Sequence, residues 1–311
     1  MDNKDNALDP AYAAAVALIR QAGIETADPL TQPLAEARAM QDRYFAVLAR
    51  DLPPVASIRN VFVPGPAGPA DTTGLRLVYP ADSKVDTLLP VVVFVRGAGW
   101  WAGALDSHER SMRIIANASG CVVCGVDYTR APEAHFPVQR DQVCAAVRWL
   151  RAEGDAFGID AQRLALTGES AGANLSALAA ARLNAQQAGT VKGLALFYGN
   201  YNLPNAATRA YSKWVWANYL GVPHTQAPVA AIPMRADVSA LPPTWLGVGE
   251  CDPLLDDSVQ FAEKLRAANV PCELKRYPGV PHAFVMLSRL YDGATSALHD
   301  AAAALRGFLK N

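Results

Sequence analysis

The chain has 311 residues, of which 51% are hydrophobic and 18% are charged, and its 28 Lys and Arg nearly balance its 29 Asp and Glu. A chain of this size suits one large α/β domain that carries an inserted or appended lid. The charge balance argues against nucleic acid or an anionic membrane as a partner. No segment approaches the roughly 18 uninterrupted apolar residues of a membrane span.

The cysteines and the start of the chain bear on its compartment. The five cysteines are odd in number and mostly lie inside apolar patterns. Cys121 and Cys124 stand in a Val-rich run typical of a buried strand, which favours core residues over a zinc or redox pair. Residues 1–6 are polar, and an Ala-rich amphipathic pattern follows them in place of an apolar signal core. These features predict a cytoplasmic protein with reduced thiols.

In chain order, two helices are predicted first, because apolar residues recur at a spacing near 3.6. Two extended runs around a turn rich in Gly and Pro then predict an antiparallel hairpin. Beyond it, helices alternate with Val-, Leu- and Ala-rich strands, which is typical of a parallel sheet covered on both faces. The predicted helices span 10–20, 33–49, 107–118, 139–152, 171–188, 258–268 and 296–309. The predicted strands span 58–63, 75–79, 90–95, 121–128, 164–167, 193–198, 244–248 and 272–277.

The segment Gly168-Glu169-Ser170-Ala171-Gly172 joins a predicted strand to a predicted helix. G-x-S-x-G in that position is the pattern of a nucleophile elbow, a tight turn that exposes a reactive serine. Glycines are required because side chains there would collide with neighbouring elements, and the turn strains the serine backbone. The helix that follows offers a free N–H group where negative charge develops during acyl transfer. A serine that caps a buried helix is the alternative interpretation.

A serine becomes a nucleophile when a histidine takes its proton and a carboxylate orients that histidine. Asp252 and His282 each follow a late predicted strand, at the carboxyl end where open α/β sheets build their sites. Glu250 is a competing carboxylate, and Asp252-Pro253 is also typical of a helix start. The other histidines are predicted to lie on solvated helix or turn surfaces. They are His108, His135, His224 and His299.

The segment Arg96-Gly97-Ala98-Gly99-Trp100 directly follows the predicted strand 90–95. Small residues let the backbone approach a substrate, so that N–H groups meet the oxygen of a tetrahedral intermediate. The segment therefore predicts an oxyanion hole, with an ordinary glycine-rich turn as the alternative.

These motifs together resemble those of the hormone-sensitive-lipase-like, or bacterial family IV, esterases of the α/β-hydrolase superfamily, over nearly the whole chain from Leu8. Further matching motifs lie at 126–133, 136–137, 148–150, 241–243 and 277–284. The resemblance implies an α/β-hydrolase fold with a mostly parallel sheet of about eight strands. It assigns 51–199 and 241–311 to this core, and 1–50 and 200–240 to a helical cap.

The same resemblance implies roles for individual residues. Ser170 becomes the nucleophile, His282 the general acid and base, and Asp252 its orienting carboxylate. The implied oxyanion donors are the backbone N–H groups of Ala98, Gly99 and Ala171. The implied pocket residues are Trp100, Glu169, Tyr211 and Trp214, with packing of the cap onto the core as the alternative role for Tyr211 and Trp214.

Two departures from the family pattern affect the predicted oxyanion loop. Arg96 stands where the family has histidine, and Ala98 where it has the middle glycine of His-Gly-Gly-Gly. Arg96 either supports the loop from behind or points into the cleft and favours an acidic acyl group. Ala98 carries a Cβ that disfavours positive φ, so the loop either tolerates this or is strained. Glu169 also replaces the more usual Asp.

The expected function is hydrolysis of short to medium carboxylic esters through an acyl-enzyme intermediate, without a cofactor or a metal. The expected partner is a small-molecule ester, and an edge strand or the final helix offers a surface for a homodimer. A non-catalytic ligand-binding protein on the same scaffold, like the gibberellin receptors, is one alternative. A hydrolase of amides, lactones or carbonates is another, because the triad does not distinguish these substrates.

Overall fold

A computed structural model describes residues 7–84, 87–203 and 210–310. The polar start 1–6 and residues 204–209 of the predicted inserted segment lie outside the described residues. Within those ranges the strands are β1 Ser57–Gly65, β2 Gly68–Tyr79, β3 Leu89–Val95, β4 Val122–Asp127, β5 Ile159–Glu169, β6 Leu194–Phe197, β7 Thr244–Gly249 and β8 Cys272–Tyr277. The α-helices are α1 Pro10–Gln21, α2 Leu34–Leu48, α3 Leu105–Ser119, α4 Val138–Glu153, α5 Ala171–Gln186, α6 Ala210–Leu220, α7 Leu255–Ala267 and α8 Asp292–Phe308.

The eight strands form one sheet in the order β1-β2-β4-β3-β5-β6-β7-β8. β1 and β2 form the predicted antiparallel hairpin, and β2 also pairs antiparallel with β4. From β4 to β8 every neighbouring pair is parallel. Parallel strands bring their carboxyl ends to one edge of the sheet, which is where the residues after β3, β5, β6, β7 and β8 meet. The predicted fold class is confirmed.

Both faces of the sheet are covered, as continuous apolar strands require. Along β3, Val91, Val93 and Val95 belong to the apolar cluster that includes α4, α5 and α7. Val92 and Phe94 belong to the opposite cluster, with α3 and α8. This alternation follows from the two-residue period of a strand, and it fixes the strand ends rigidly between two helical layers.

The predicted element boundaries differ most at β2, β5 and α8. β2 begins at Gly68 instead of 75, inside the turn that the Gly and Pro residues predict. β5 begins at Ile159 instead of 164, because the polar residues Asp160, Gln162 and Arg163 interrupt the apolar run that marks its later part. Arg163 pairs with Asp160 at 2.6 Å. α8 begins at Asp292 instead of 296, and Gly293 in its first turn weakens the helical signal of the sequence. Within the described part of the chain, no helix is both long enough and apolar enough to cross a bilayer.

The two N-terminal helices pack onto the α3 and α8 side of the sheet. Buried side chains of both helices join the same apolar cluster as α3 and α8; they are Tyr12, Ala15, Ile19, Phe45 and Leu48. Just before α1, the Asp9 N–H donates to the carbonyl of Gly279 at 2.8 Å. The N-terminal segment is therefore attached to the loop that follows β8.

Candidate active site

Ser170 occupies the turn between β5 and α5 with φ 51° and ψ −116°, a conformation that L-residues rarely adopt. Ser170 is the N-cap residue of α5, but its side chain makes no capping hydrogen bond, so capping does not explain the motif. A Cβ on Gly168 would lie 2.7 Å from the carbonyl oxygen of Val95, and one on Gly172 would overlap the same oxygen. Both glycines are therefore required by the close approach of the elbow to the end of β3.

Ser170, His282 and Asp252 come from three different strand ends and form one hydrogen-bonded chain. The Ser170 Oγ lies 2.9 Å from His282 Nε2, and His282 Nδ1 lies 2.9 Å from Asp252 Oδ2. Asp252 is fully buried, whereas the His282 side chain is 30% exposed. Asp252 Oδ1 also accepts from the Leu254 N–H at 2.7 Å, so the same residue helps start the next helix. Asp252, and not its competitor Glu250, holds the imidazole.

Charge controls the protonation of His282. Burial lowers the pKa of His282, but the charge and hydrogen bond of Asp252 raise it, and Glu169 raises it further. The net pKa lies above the ordinary histidine value. His282 is therefore a stronger base than a solvated imidazole, which suits a group that must accept the serine proton.

The loop after β3 places three residues in succession in the left-handed region: Ala98 (φ 73°), Gly99 (φ 60°) and Trp100 (φ 63°). Ala98 thus adopts the positive φ that its Cβ disfavours, at a cost of about 1 to 2 kcal/mol. Among the described residues, no oxygen accepts a hydrogen bond from the backbone N–H of Ala98, Gly99 or Ala171. The three predicted oxyanion donors are available to a ligand.

Of the two alternatives for Arg96, the structure shows the first: its side chain supports this loop from behind and does not point into the cleft. Its side chain is 1% exposed, and its guanidinium donates to the carbonyls of Ala102 at 2.6 Å and Tyr128 at 2.9 Å. The guanidinium also lies 4.0 Å from the centre of the Tyr128 ring. In return, the Tyr128 hydroxyl donates to the Arg96 carbonyl at 3.1 Å. A planar group with several fixed donors replaces the family's histidine as the brace.

A second brace reaches the loop from α2. Arg38 donates to the carbonyls of Trp101 and Ala131, each at 2.8 Å, and pairs with Glu133. The hydrogen bond from Arg38 lowers the pKa of the half-exposed Glu133 to about 2. Sequence patterns did not indicate Arg38, because nothing in the surroundings of one arginine on an amphipathic helix marks its distant partners.

Residues 92–286 match the family described as the alpha/beta hydrolase fold, which is more than half of the chain. The chain belongs to this family. Solved structures with the same fold include a hyperthermophilic esterase from the archaeon Pyrobaculum calidifontis, with 28% identity, a TM-score of 0.87, and coverage of 97% of this chain and 98% of that one. They also include a thermostable esterase from Pseudomonas putida, with 28% identity, a TM-score of 0.86 and 98% coverage of both chains.

A bacterial heroin esterase is similar to the same extent, with 27% identity, a TM-score of 0.87 and 98% coverage of both chains. The resemblance to hormone-sensitive-lipase-like esterases is thereby confirmed, and the protein is an esterase-type α/β hydrolase.

Two residues that were predicted to line the pocket, Trp100 and Glu169, are buried in the interior of the protein instead. Trp100 is fully buried, and its ring stacks on Tyr219 with the centroids 4.2 Å apart. Glu169 is 4% exposed, and its carboxylate accepts a hydrogen bond from the Tyr198 hydroxyl at 2.6 Å. Glu169 is the last residue of β5 and its side chain meets His108 and Tyr198, whereas Trp100 lies in the loop after β3 and packs against α6.

The other two predicted pocket residues belong to α6 and lie beside the oxyanion loop. The Tyr211 hydroxyl accepts from Trp101 Nε1 at 3.1 Å, and the Trp214 ring packs edge-on against Trp101 at 5.7 Å. Tyr211 is 40% exposed, whereas Trp214 is partly buried. Both contacts attach α6 to the loop, which agrees with the packing interpretation.

His108 was predicted to be solvated, and this is wrong. It is 1% exposed, its ring lies between Phe45 and Phe94, and its Nε2 lies 2.8 Å from Glu169 Oε1. The periodicity of α3 places this residue on the face that packs against the sheet, where the Glu169 carboxylate offsets the cost of burying a polar ring. His299 is exposed as predicted, and His135 and His224 are partly buried.

Asn200 is a contact of the nucleophile that sequence analysis missed. Its Nδ2 donates to Ser170 Oγ at 3.1 Å. Its backbone is attached to the elbow twice, because its N–H donates to the Ser170 carbonyl at 3.3 Å and its carbonyl accepts from Asn174 Nδ2 at 2.8 Å. The available signal was its position just after β6, the same strand-end position that pointed to Asp252 and His282.

No three His, Cys, Asp or Glu side chains within 7–84, 87–203 and 210–310 are grouped so as to hold a metal ion. Cys121 immediately precedes β4 and Cys124 lies within it; both are buried and form no disulfide. The site thus consists of the hydrogen-bonded chain of Ser170, His282 and Asp252 beside the loop after β3 and the start of α5.

Proposed function

We propose that this α/β hydrolase cleaves carboxylic esters with short to medium acyl chains through a covalent acyl-enzyme. The observation that carries the proposal is the chain of two 2.9 Å contacts from Ser170 through His282 to the buried Asp252. Its position at a strained strand-to-helix turn supports a nucleophilic role for Ser170, since such strain exposes a side chain that a relaxed turn would pack away.

In the first half of the reaction, Ser170 Oγ attacks the ester carbonyl carbon while His282 Nε2 takes the hydroxyl proton. Asp252 holds the Nδ1–H and stabilises the resulting imidazolium. The carbonyl oxygen becomes an oxyanion that the N–H groups of Ala98, Gly99 and Ala171 stabilise. One such donor is worth about 3 to 4 kcal/mol of barrier. The intermediate collapses when His282 returns the proton to the alkoxide, and the alcohol leaves.

In the second half, His282 Nε2 takes a proton from water, and the hydroxide oxygen attacks the acyl carbon. The bond to Ser170 Oγ breaks, the serine regains its proton from His282, and the carboxylic acid is released. Both halves use the same donors, so the loop after β3 contributes twice in each turnover.

The proposed acyl range follows from the segments that surround the site. We infer that residues 1–50 and 200–240 act as its cap. A Cβ on Gly99 would lie 3.2 Å from Val215 of α6, so this helix lies directly against the oxyanion loop. Helices this close to the donors leave a bounded space for the acyl chain, which favours short and medium chains over long ones.

The test is a set of initial rates on p-nitrophenyl acetate, butyrate, octanoate and laurate for wild type and Ser170→Ala. We expect hydrolysis by wild type that declines toward laurate, and a loss of about 10⁴-fold or more in the variant. Ser296→Ala, which removes an exposed hydroxyl from α8, is the matched control and should retain wild-type rates. Wild-type rates in folded Ser170→Ala would refute the nucleophile. Folded wild type that binds these esters without turnover would favour the ligand-binding alternative.

A further inference from the structure

The buried carboxylate of Glu169, one residue before Ser170, has two polar partners that do not belong to the triad. His108 Nε2 of α3 lies 2.8 Å from Oε1, and the Tyr198 hydroxyl donates to Oε2 at 2.6 Å. All three side chains are nearly or fully buried, with exposures of 4% for Glu169, 1% for His108 and 0% for Tyr198. A polar network this deep in a core is costly unless its groups compensate one another.

His108 is placed to supply a positive charge to this network. Its Nδ1 lies 2.7 Å from Ser107 Oγ and 3.3 Å from the Ala104 carbonyl, while its Nε2 faces the carboxylate. The Ser107 hydroxyl itself donates to the Ala104 carbonyl at 2.6 Å, so its oxygen accepts from the ring. Both ring nitrogens therefore face acceptors, which is the pattern of a protonated imidazolium.

The network contacts the proposed catalytic machinery on two sides. The Tyr198 ring packs against the His282 ring with the centroids 4.8 Å apart. On the other side, a Cβ on Gly97 would lie 3.0 Å from the Glu169 carbonyl and 3.1 Å from its Cγ. Glu169, with its partner Tyr198, thus lies between the His282 imidazole and the backbone of the oxyanion loop.

We propose that Glu169, held ionised by His108, is a positioning residue of the hydrolase. Its charge and its bond to Tyr198 orient His282 and stabilise the protonated form of that histidine. This inference rests on the proposed function, because it assigns Glu169 a part in the reaction of the same triad. The network then acts as a second acidic support for the base, from the core side, beside the direct support by Asp252.

The electrostatic directions agree with this geometry. Burial raises the pKa of Glu169, but the charge of His108 and the hydrogen bond from Tyr198 lower it, and the net pKa lies below the ordinary value. Burial and the charge of Glu169 hold the pKa of Tyr198 well above its ordinary value, so its hydroxyl keeps the proton that it donates. The ionised Glu169 is in turn one of the charges that raise the pKa of His282.

Other charged and titratable groups face this region from the surrounding elements. They are Asp252 after β7, Arg96 after β3, Tyr128 after β4 and Tyr12 on α1. Among these, Asp252 is the direct partner of His282 and stays unchanged in the test. Arg96 and Tyr128 brace the loop together, and Tyr12, whose pKa is raised to about 12, stays neutral throughout the titration.

The first experiment follows the ring protons of the five histidines by NMR as a function of pH, with the His282 signal assigned by its loss in His282→Gln. In Glu169→Gln we expect the pKa of His282 to fall, because a neutral amide no longer stabilises the imidazolium. The acid limb of the kcat/KM profile should shift to lower pH in the same variant. Its plateau should fall by about tenfold, because the transition-state imidazolium loses a supporting charge.

Two further variants separate the charge of Glu169 from its packing. Glu169→Asp keeps a carboxylate and should leave the acid limb near its wild-type position. Asp300→Asn is the matched control, since Asp300 Oδ2 also accepts from a tyrosine hydroxyl, Tyr277 at 2.7 Å, and a cation, Lys275 at 2.6 Å. Asp300 lies on α8 without contact to His282, so this variant should leave the His282 titration unchanged.

Glu169→Gln leaves His108 buried without its partner, and this can prevent folding. The double variant Glu169→Gln/His108→Gln replaces the ion pair by two neutral amides that still hydrogen-bond, and here too the pKa of His282 should fall. An unchanged His282 titration in either folded variant would overturn the inference, and so would an equal fall in Asp300→Asn.

Because the titration needs no turnover, it tests this inference even if the protein hydrolyses none of the esters. If the protein hydrolyses the esters but the pKa of His282 is unchanged in these variants, the proposed function holds and this inference fails.

Discussion

Around Ser170, residues with a strained backbone lie next to side chains whose hydrogen bonds hold that backbone in place. Ala98 holds a positive φ that glycine would adopt freely, and the loop keeps this conformation because Arg96 donates to the carbonyls of Ala102 and Tyr128 on its buried side. Ser170 is strained in the same sense and is surrounded by glycines that admit the approach of β3. Both of these strained positions direct groups of the proposed site, the Ser170 hydroxyl and the Ala98 N–H, and hydrogen bonds from neighbouring residues hold the backbone around them.

At the residue scale, the contact from Asn200 Nδ2 to Ser170 Oγ predicts a kinetic effect. Asn200→Ala removes a donor that fixes the direction of the hydroxyl, and we expect kcat/KM to fall by about tenfold. Asn200→Asp should lose more, because a carboxylate cannot donate to Oγ and repels the negative charge that develops beside it. Steady-state rates on p-nitrophenyl butyrate measure both.

The matched control for this prediction is Asn202→Ala in the same loop, whose side chain accepts a hydrogen bond from the neighbouring Leu203 N–H at 2.9 Å and, among the described residues, makes no contact with Ser170. Its rates should stay near wild type. If Asn200→Ala and Asn200→Asp both kept wild-type kcat/KM, the contact with the nucleophile would have no kinetic role.

At the scale of elements, α7 illustrates how a strand end and a helix start share residues. The chain leaves β7, passes the buried Asp252, and begins α7 with Asp256 and Asp257 in the first turn. Asp257 Oδ2 accepts from the Asn202 N–H at 3.2 Å. Burial, and then the charges of Asp252 and Asp256, raise the pKa of Asp257 to about 6. The helix dipole favours acidic residues here, but burial and crowding of three carboxylates work against their ionisation.

Asp257→Asn is therefore expected to stabilise the protein at neutral pH. A folded-state pKa raised above the unfolded value of about 3.9 means that the folded protein binds the proton more tightly. The stability from this group is present below about pH 4 and is lost as the pH rises to about 6, so the variant should gain on the order of 2 kcal/mol at pH 7.5 and nothing at pH 4. Urea unfolding at both pH values measures the free energy. Asp256→Asn, exposed on the same turn, is the control and should change little; a loss of stability at pH 7.5 in Asp257→Asn would contradict the prediction.

At the scale of the whole molecule, the N-terminal helices, which we infer to be part of the cap, also pack against the core. Phe45 of α2 is 6% exposed and lies 5.8 Å from the His108 ring, within the cluster that also contains α3 and α8. Arg38 of the same helix donates a hydrogen bond to the carbonyl of Trp101, the residue that follows the oxyanion loop. One helix thus contacts both the core beneath the site and the loop beside it.

This continuity predicts one cooperative unfolding transition and a large effect of Phe45→Ala. Removal of a buried phenylalanine ring costs about 3 to 5 kcal/mol, and the loss should appear in a single transition seen alike by circular dichroism and tryptophan fluorescence. Phe62→Ala is the matched control, because the Phe62 side chain on β1 is 80% exposed. An earlier transition of the helices alone would show that they unfold independently of the sheet.

The sequence by itself determined the class of fold and the order of its elements. Strand and helix periods are local properties, and so is the glycine spacing of the elbow, so the parallel sheet and the turn at Ser170 could be inferred without distances. The positions of Asp252 and His282 after late strands were also readable, because carboxyl ends of parallel strands share one edge. The start of β5 at Ile159 was not, because polar residues between it and Leu164 break the apolar run.

Only the tertiary structure decided which side chains meet across the chain. It brings His108 to Glu169, Asn200 to Ser170, and Arg38 to the oxyanion loop, and it places Trp100 in the core and the Arg96 side chain behind the loop. These pairings are separated by tens of residues, and no local pattern records them. Their physical reason is the stacking of two helical layers on one sheet, which closes water out of the interior and leaves each buried polar group to be satisfied by a partner from another element.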